Sequence, residues 1–176
     1  MHRPPQLLSG SAFALAAGLM WGLVFVAPLL LPQYPPALLA VGRYLAFGLI
    51  CLPLALLDRD ALRTLTPADW WQAARLSLVG NFLYYLALAA AIQRAGNPLV
   101  SAIIGTLPVV IALASNRRNA RRDGALPASR LAPSLLAMLL GIACVNHTEL
   151  AQLQGDALGR YVEGGLIALL ALACWT

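Results

Sequence analysis

The chain is predicted to be an all-α integral membrane protein with five complete transmembrane helices and a shortened sixth. Three observations carry this expectation. Of 176 residues, 60% are apolar and 11% charged, against roughly 45–50% and about 25% in a soluble domain. The apolar residues gather in runs that approach or exceed the length needed to cross a bilayer, separated by short polar breaks rich in helix punctuation. The opening of the first run also reappears at the end of the chain.

The first span covers about 11–31 and is closed by Pro32 and the "QYPP" that follows. His2 and Arg3 precede it as in a signal peptide. A cleavable signal places its small residues after the apolar core, whereas here they come first, so the segment reads as a retained span. The second span runs from about 37 to 57, with Pro36 at a first helical position, where a missing N–H is no loss. "TPAD" starts the third: Thr66 is the N-cap, Pro67 follows, and Asp69 takes the capping-box position usually held by glutamate. Trp70 and Trp71 come next, as expected of an aromatic belt at a membrane interface, and the helix should reach about Gln93. Asn97 and Pro98 cap a fourth span to about Ser115. A fifth, over 131–145, is short and calls for a thinned bilayer or an extension into the interface.

All twelve basic residues are arginine. With the N-terminus cytoplasmic, nine fall in inside segments (Arg3, Arg59, Arg63, Arg75, Arg117, Arg118, Arg121, Arg122, Arg130) and two outside (Arg94, Arg160), a strong positive-inside bias. This expected placement is in a bacterial inner membrane. The "NRRNARRD" run needs no separate role as an anionic-lipid or nucleic-acid site, because topology already accounts for it. Cys51, Cys144 and Cys174 lie within apolar runs without CxxC or Cys/His spacing and read as small buried hydrophobes.

"GSAFALAAGLMWG" (10–22) aligns without gaps onto "GGLIALLALACWT" (164–176), with Gly10/Gly164, Ala14/Ala168, Leu15/Leu169, Ala17/Ala171 and Trp21/Trp175 identical. The repeat unit then holds an odd number of spans, so a second copy enters the membrane from the opposite side, an inverted-repeat transporter architecture. The expected division is a first five-helix repeat over 1–146, an external loop over 147–163 and a truncated start of a second repeat over 164–176. A helix from Gly164 reaches roughly 20 Å at about 1.5 Å per residue, short of the ~30 Å hydrocarbon core. On this reading the chain is the N-terminal part of a longer transporter.

"GLMWGLVFVAPLLLP", "PALLAVGRYLAFGLI" and "GNFLYYLALAAAIQRAGNPLVSAIIGTLPVVIAL" resemble the EamA-like branch of the drug/metabolite transporter superfamily over about residues 9–146. The most specific matches are Trp21, the "GRY" of Gly42 to Tyr44, and Pro108. The resemblance implies ten helices in two inverted halves and export of small metabolites, amino acids or drug-like solutes by alternating access. The long arginine-rich stretch between spans four and five departs from the short linker usual in that family.

Candidate substrate-pathway residues are Trp21, Arg43, Tyr44, Asn81, Tyr84, Tyr85, Thr106 and Pro108. Arg43 is a full charge within the second span, where burial is costly by several kcal/mol, so it should face a cavity and anchor an anionic group; the alternative is that its stem snorkels outward. Asn81, Tyr84 and Tyr85 have i, i+3, i+4 spacing and should share a face. Pro108 leaves the carbonyl of Ile104 without its usual donor, near the hydroxyl of Thr106, making a kink that would serve as a gate. Gly10, Ala14, Gly18 and Gly22 form a smooth packing ridge on the first helix, and Trp21 lies near its centre.

No Asp or Glu falls within the first five spans, which excludes a small-multidrug-type antiporter built on an acidic first helix. HExxH and paired aspartates are absent, and His2 and His147 lie outside the spans, so an enzyme is not expected, nor any cofactor or metal. The expected partners are a small-molecule substrate, the lipid bilayer, and a missing C-terminal half or a second copy, but no nucleic acid. The competing reading is a non-transporting assembly or scaffold subunit. The orientation is checked with single cysteines at Arg121 and Gln154 in a cysteine-free background: an impermeant reagent added outside should label position 154, and position 121 only after permeabilisation.

Overall fold

A computed structural model describes residues 4–123, 128–152 and 155–176. The described residues are helical throughout apart from short turns: α1 (Pro4–Leu30), α2 (Pro36–Leu57), the single turn α3 (Arg59–Leu62), α4 (Pro67–Leu76), α5 (Tyr84–Ala95), α6 (Asn97–Gly105), α7 (Leu107–Asp123), α8 (Ala128–Gln152) and α9 (Asp156–Trp175). A wider π-helical stretch, Ser77–Leu83, joins α4 to α5 without a break. This is an all-α integral membrane protein, with five stretches long and apolar enough to cross a bilayer: Ser9–Leu30, Pro36–Leu57, Pro67–Ala95, Asn97–Asn116 and Asp156–Trp175. The segment expected as a short fifth span lies within α8, whose apolar part, Ala132–Cys144, is shorter than these. Arg3 and Gln154 lie outside the described residues.

The capping box at the start of α4 forms as its residues dictate. The Thr66 hydroxyl accepts from the Asp69 N–H at 3.3 Å, and the Thr66 N–H donates to Asp69 Oδ2 at 2.8 Å. At the start of α6 the cap differs from expectation. Gly96, with φ of 77°, is the N-cap, a left-handed conformation that favours glycine. The Asn97 side chain instead accepts the Ser101 hydroxyl at 2.7 Å.

Helix α5 is the hub, packed by α1 and α2 on one side and by α9 and α6 on the other. Its alanines, Ala87, Ala89, Ala91 and Ala95, are buried and keep it thin. The buried residues of α9 are Tyr161, Gly164, Ala168 and Ala171, spaced by threes and fours as one stripe. A Cβ built on Gly164 would lie 2.5 Å from Ala95 Cβ and 2.9 Å from its backbone nitrogen. The backbones are therefore as close as a glycine permits. Lipid offers helices no hydrophobic drive to associate, so such close approach is what holds them.

Helix α9 starts at Asp156, eight residues before Gly164, and residues 147–163 are helical as far as Gln152 and again from Asp156. Gly164 lies beside Ala95 at the end of α5, so about two turns of α9 project past it. There Arg94 Nε meets Glu163 Oε1 at 3.2 Å, a partly exposed pair that contributes about 1 kcal/mol at most.

Contacts at the helix ends fix direction. Gln93 Nε2 donates to the Tyr34 carbonyl at 3.0 Å, so α1 and α5 end together and run the same way. Gly164 meets Ala95 while Trp175 meets Tyr84, so α9 runs opposite to α5. Helices α1 and α9, which carry the repeated sequence, are thus antiparallel.

Replacing Gly164 by Leu should destabilise the purified protein by about 1–3 kcal/mol through overpacking, whereas Gly159→Leu, whose Cβ meets nothing within 4 Å, should stay within about 0.5 kcal/mol. Thermal unfolding in detergent, followed by tryptophan fluorescence, compares the two.

Candidate functional site

Between α1, α2 and α5 lies an open cavity of about 450 Å³, lined by Met20, Leu23, Val24, Ala27 and Leu31 of α1 and its end, Leu38, Leu39, Gly42, Arg43 and Phe47 of α2, and Tyr85 of α5, with Met20, Leu23, Leu38 and Phe47 still largely exposed. The steps of three and four along α1, and those from Leu38/Leu39 through Gly42/Arg43 to Phe47, follow the helical period and bring one face of each helix together. Arg43 is its one charged residue, about 5 Å from the midpoint of α2 towards its N-terminus at 1.5 Å per residue.

The Arg43 guanidinium carbon lies 4.6 Å from the centre of the Tyr85 ring, 5.2 Å from Phe47 and 5.9 Å from Tyr44. The rings brace each other: Tyr44 packs edge-on to Tyr85 at 6.4 Å and against Phe82 at 6.0 Å. Placing an arginine at such depth costs about 2.5–3.5 kcal/mol by insertion scales. A partly exposed cation–π contact returns about 0.5–1 kcal/mol. The rings therefore hold the charge in place. Their faces offer no lone-pair acceptor, however, and Arg43 Nε is buried without a hydrogen-bond partner. Among the described residues no carboxylate pairs with Arg43.

Of the candidates from sequence, the structure brings Arg43, Tyr44 and Tyr85 together and leaves the rest apart. Asn81, Tyr84 and Tyr85 do not share a face. Asn81 belongs to the π-helical stretch, whose wider turn changes its phase relative to α5, and it is exposed. Tyr84 is buried but faces α9, its ring 4.9 Å from Trp175, and its hydroxyl has no partner. Trp21 is 48% exposed, packs edge-on to Phe25 at 6.1 Å and does not line the cavity. Thr106 separates α6 from α7, and its hydroxyl donates at 2.6 Å to the Ile103 carbonyl rather than to that of Ile104. Neither Thr106 nor the exposed Pro108 reaches the cavity.

Sequence reasoning missed Phe47 and the aliphatic walls. Phe47 had a signal, standing four residues after Arg43 and therefore over the same face. Leu23, Val24 and Leu39 had none, since an apolar residue facing a cavity and one facing lipid read alike. The packing ridge on α1 also differs from expectation. A Cβ on Gly10, Gly18 or Gly22 would meet nothing within 4 Å. The buried ridge is its repeat-mate, Gly164, Ala168 and Ala171 on α9.

A helical bundle with five stretches long and apolar enough to cross a bilayer defines a polytopic membrane protein. Comparison with known families makes this specific: the family model described as "EamA-like transporter family" matches residues 8–117, and the chain belongs to that family. Membership points to a transporter of the drug/metabolite superfamily rather than an enzyme. The chain is 49% identical over 170 residues to "Inner membrane protein YtfF" of Escherichia coli (strain K12), an alignment covering 96% of this chain and 53% of that protein. The chain thus spans about half the length of the curated relative it matches. No solved structure matches it.

The unpartnered Tyr84 hydroxyl gives a stability prediction. Tyr84→Phe should leave the unfolding temperature unchanged or raise it, because a buried polar group with no partner costs free energy. Tyr84→Ala, which removes the ring packed on Trp175, should lower stability by about 3 kcal/mol or more. Thermal melts of both variants distinguish these effects.

Proposed function

We propose that the chain forms one half of a multi-pass transporter of the bacterial inner membrane, with a cytoplasmic N-terminus, that exports small metabolites, amino acids or drug-like solutes by alternating access. The observation that carries this is the Arg43 cavity: a lone cation, braced by Tyr44, Phe47 and Tyr85 and lacking an acceptor at Nε, faces an apolar space within the spans. Such a residue at membrane depth is costly and is retained where a solute path needs it. Tyr84, Trp21, Asn81, Thr106 and Pro108 are proposed to contribute elsewhere along the path.

Alternating access needs a second half. We propose that this half, inverted in topology, is supplied by further polypeptide or by a second copy, and that it covers the open face of α1. Three observations support this. Gly10, Ala14, Ala17 and Trp21 are exposed, whereas their repeat-mates Gly164, Ala168 and Ala171 are buried against α5, and Trp175 packs on Tyr84. The two repeat-bearing helices run antiparallel, as inverted halves require. Asn81 presents an amide at mid-span with no helix over it.

The test is flux in proteoliposomes. The chain alone should be silent towards amino acids and amphiphilic drugs. Supplied with the part of the Escherichia coli relative beyond the matched region, it should give saturable flux. In that assembly Arg43→Leu should abolish flux and Arg43→Lys retain only a small fraction, with membrane insertion of both intact. Saturable flux from the chain alone would establish a homodimer, and no flux in either case would favour the scaffold reading.

A further inference from the structure

Resting on the cavity reading above, we propose that the Arg43 site takes an apolar monocarboxylate, an acid with one carboxylate and no ammonium group, in preference to a zwitterionic amino acid or an amine. The anionic pole of the ligand follows from Arg43. Among the described residues no carboxylate pairs with it, and a carboxylate accepts from a guanidinium through two parallel N–H···O bonds. One cation in an apolar wall is balanced by one negative charge, and a second carboxylate would be left buried without a partner.

The absence of an ammonium follows from what else lines the cavity. Among the described side chains, none of the acidic residues Asp58, Asp60, Asp69, Asp156 and Glu163 lines the cavity. An aromatic face is the other surface that accepts an ammonium. Both rings that line the cavity, Tyr85 and Phe47, are already engaged by the guanidinium, at 4.6 and 5.2 Å. An amino acid docked through its carboxylate would therefore hold its ammonium beside like charge and hydrocarbon, with no carboxylate or unoccupied ring face to receive it. The remaining walls, Met20, Leu23, Val24, Ala27, Leu31, Leu38 and Leu39, are aliphatic. They suit the hydrocarbon body of an acid, and about 450 Å³ falls at the small-solute end of ligand cavities.

The test uses the full chain in nanodiscs and three compounds of one skeleton: 3-phenylpropionate, phenylalanine and phenethylamine. Equilibrium binding of radiolabelled 3-phenylpropionate should be saturable. Unlabelled phenylalanine should compete at least about tenfold less well, a difference of about 1.4 kcal/mol, and phenethylamine not at all. Arg43→Leu should lose the saturable binding. Gly42→Leu keeps the arginine but places a side chain in the cavity, where a Cβ meets nothing within 4 Å, and it should weaken binding while eluting as the parent does in gel filtration. If phenylalanine competes as well as the acid, in an Arg43-dependent way, the ligand class is overturned and the cavity reading stands. Tighter binding of phenethylamine overturns the assignment of Arg43 as the pole. Absence of saturable binding, or binding undiminished in both variants, overturns the cavity reading itself.

Discussion

The bundle depends on how closely other helices approach α5. Between two apolar helices in lipid there is little solvation free energy to gain, because lipid tails are as apolar as the side chains they would replace. What remains is contact, and contact is greatest where side chains are smallest. Ala91 and Ala95 on α5 and Gly164, Ala168 and Ala171 on α9 bring the two backbones to the limit set by a missing Cβ. Another side of the same helix carries α1 and α2, so the cavity and the small-residue seam share α5 as a common wall.

Tyr84 and Tyr85 make that coupling concrete. Adjacent residues on an α-helix diverge by about 100°, so one ring packs on Trp175 of α9 while the other lies beneath Arg43. The rotation of α5 about its own axis decides both contacts at once. The π-helical stretch immediately before them sets that rotation relative to α4, and thereby places Asn81 outside the bundle. Irregular turns of this kind are frequent at functional sites. Here the irregularity separates the aromatic pair from the amide that the spacing had grouped with it.

Arg43 is held by geometry of the same sort. Its charge is offset by ring faces rather than by a carboxylate, which leaves its hydrogen-bonding capacity incompletely used beside the cavity. A carboxylate partner within the protein would have stabilised the arginine more strongly and closed the site to an anion. Aromatic bracing keeps the guanidinium oriented and its charge available.

The sequence by itself determined the class of protein, the helices and their punctuation, because these rest on composition and on neighbours one turn apart. The apolar runs, the Thr66/Asp69 capping box, Arg43 as a charge within a span and the 10–22/164–176 repeat were all legible there, as was the likeness to the EamA-like transporter family. The sequence misplaced what depends on phase and partner. It grouped Asn81 with both tyrosines because ideal helical spacing cannot register a π-helical turn, and it began the last helix at Gly164 because Arg160 and Glu163 read as a loop. Only the tertiary structure decided that these charges belong to a helix, with Glu163 paired to Arg94 at the end of α5, that the small-residue ridge is buried on α9 and open on α1, and which aliphatic residues line a cavity. Those distinctions belong to contacts between helices, and in a chain this uniformly apolar the residue types on a lipid-facing, a helix-facing and a cavity-facing surface are the same.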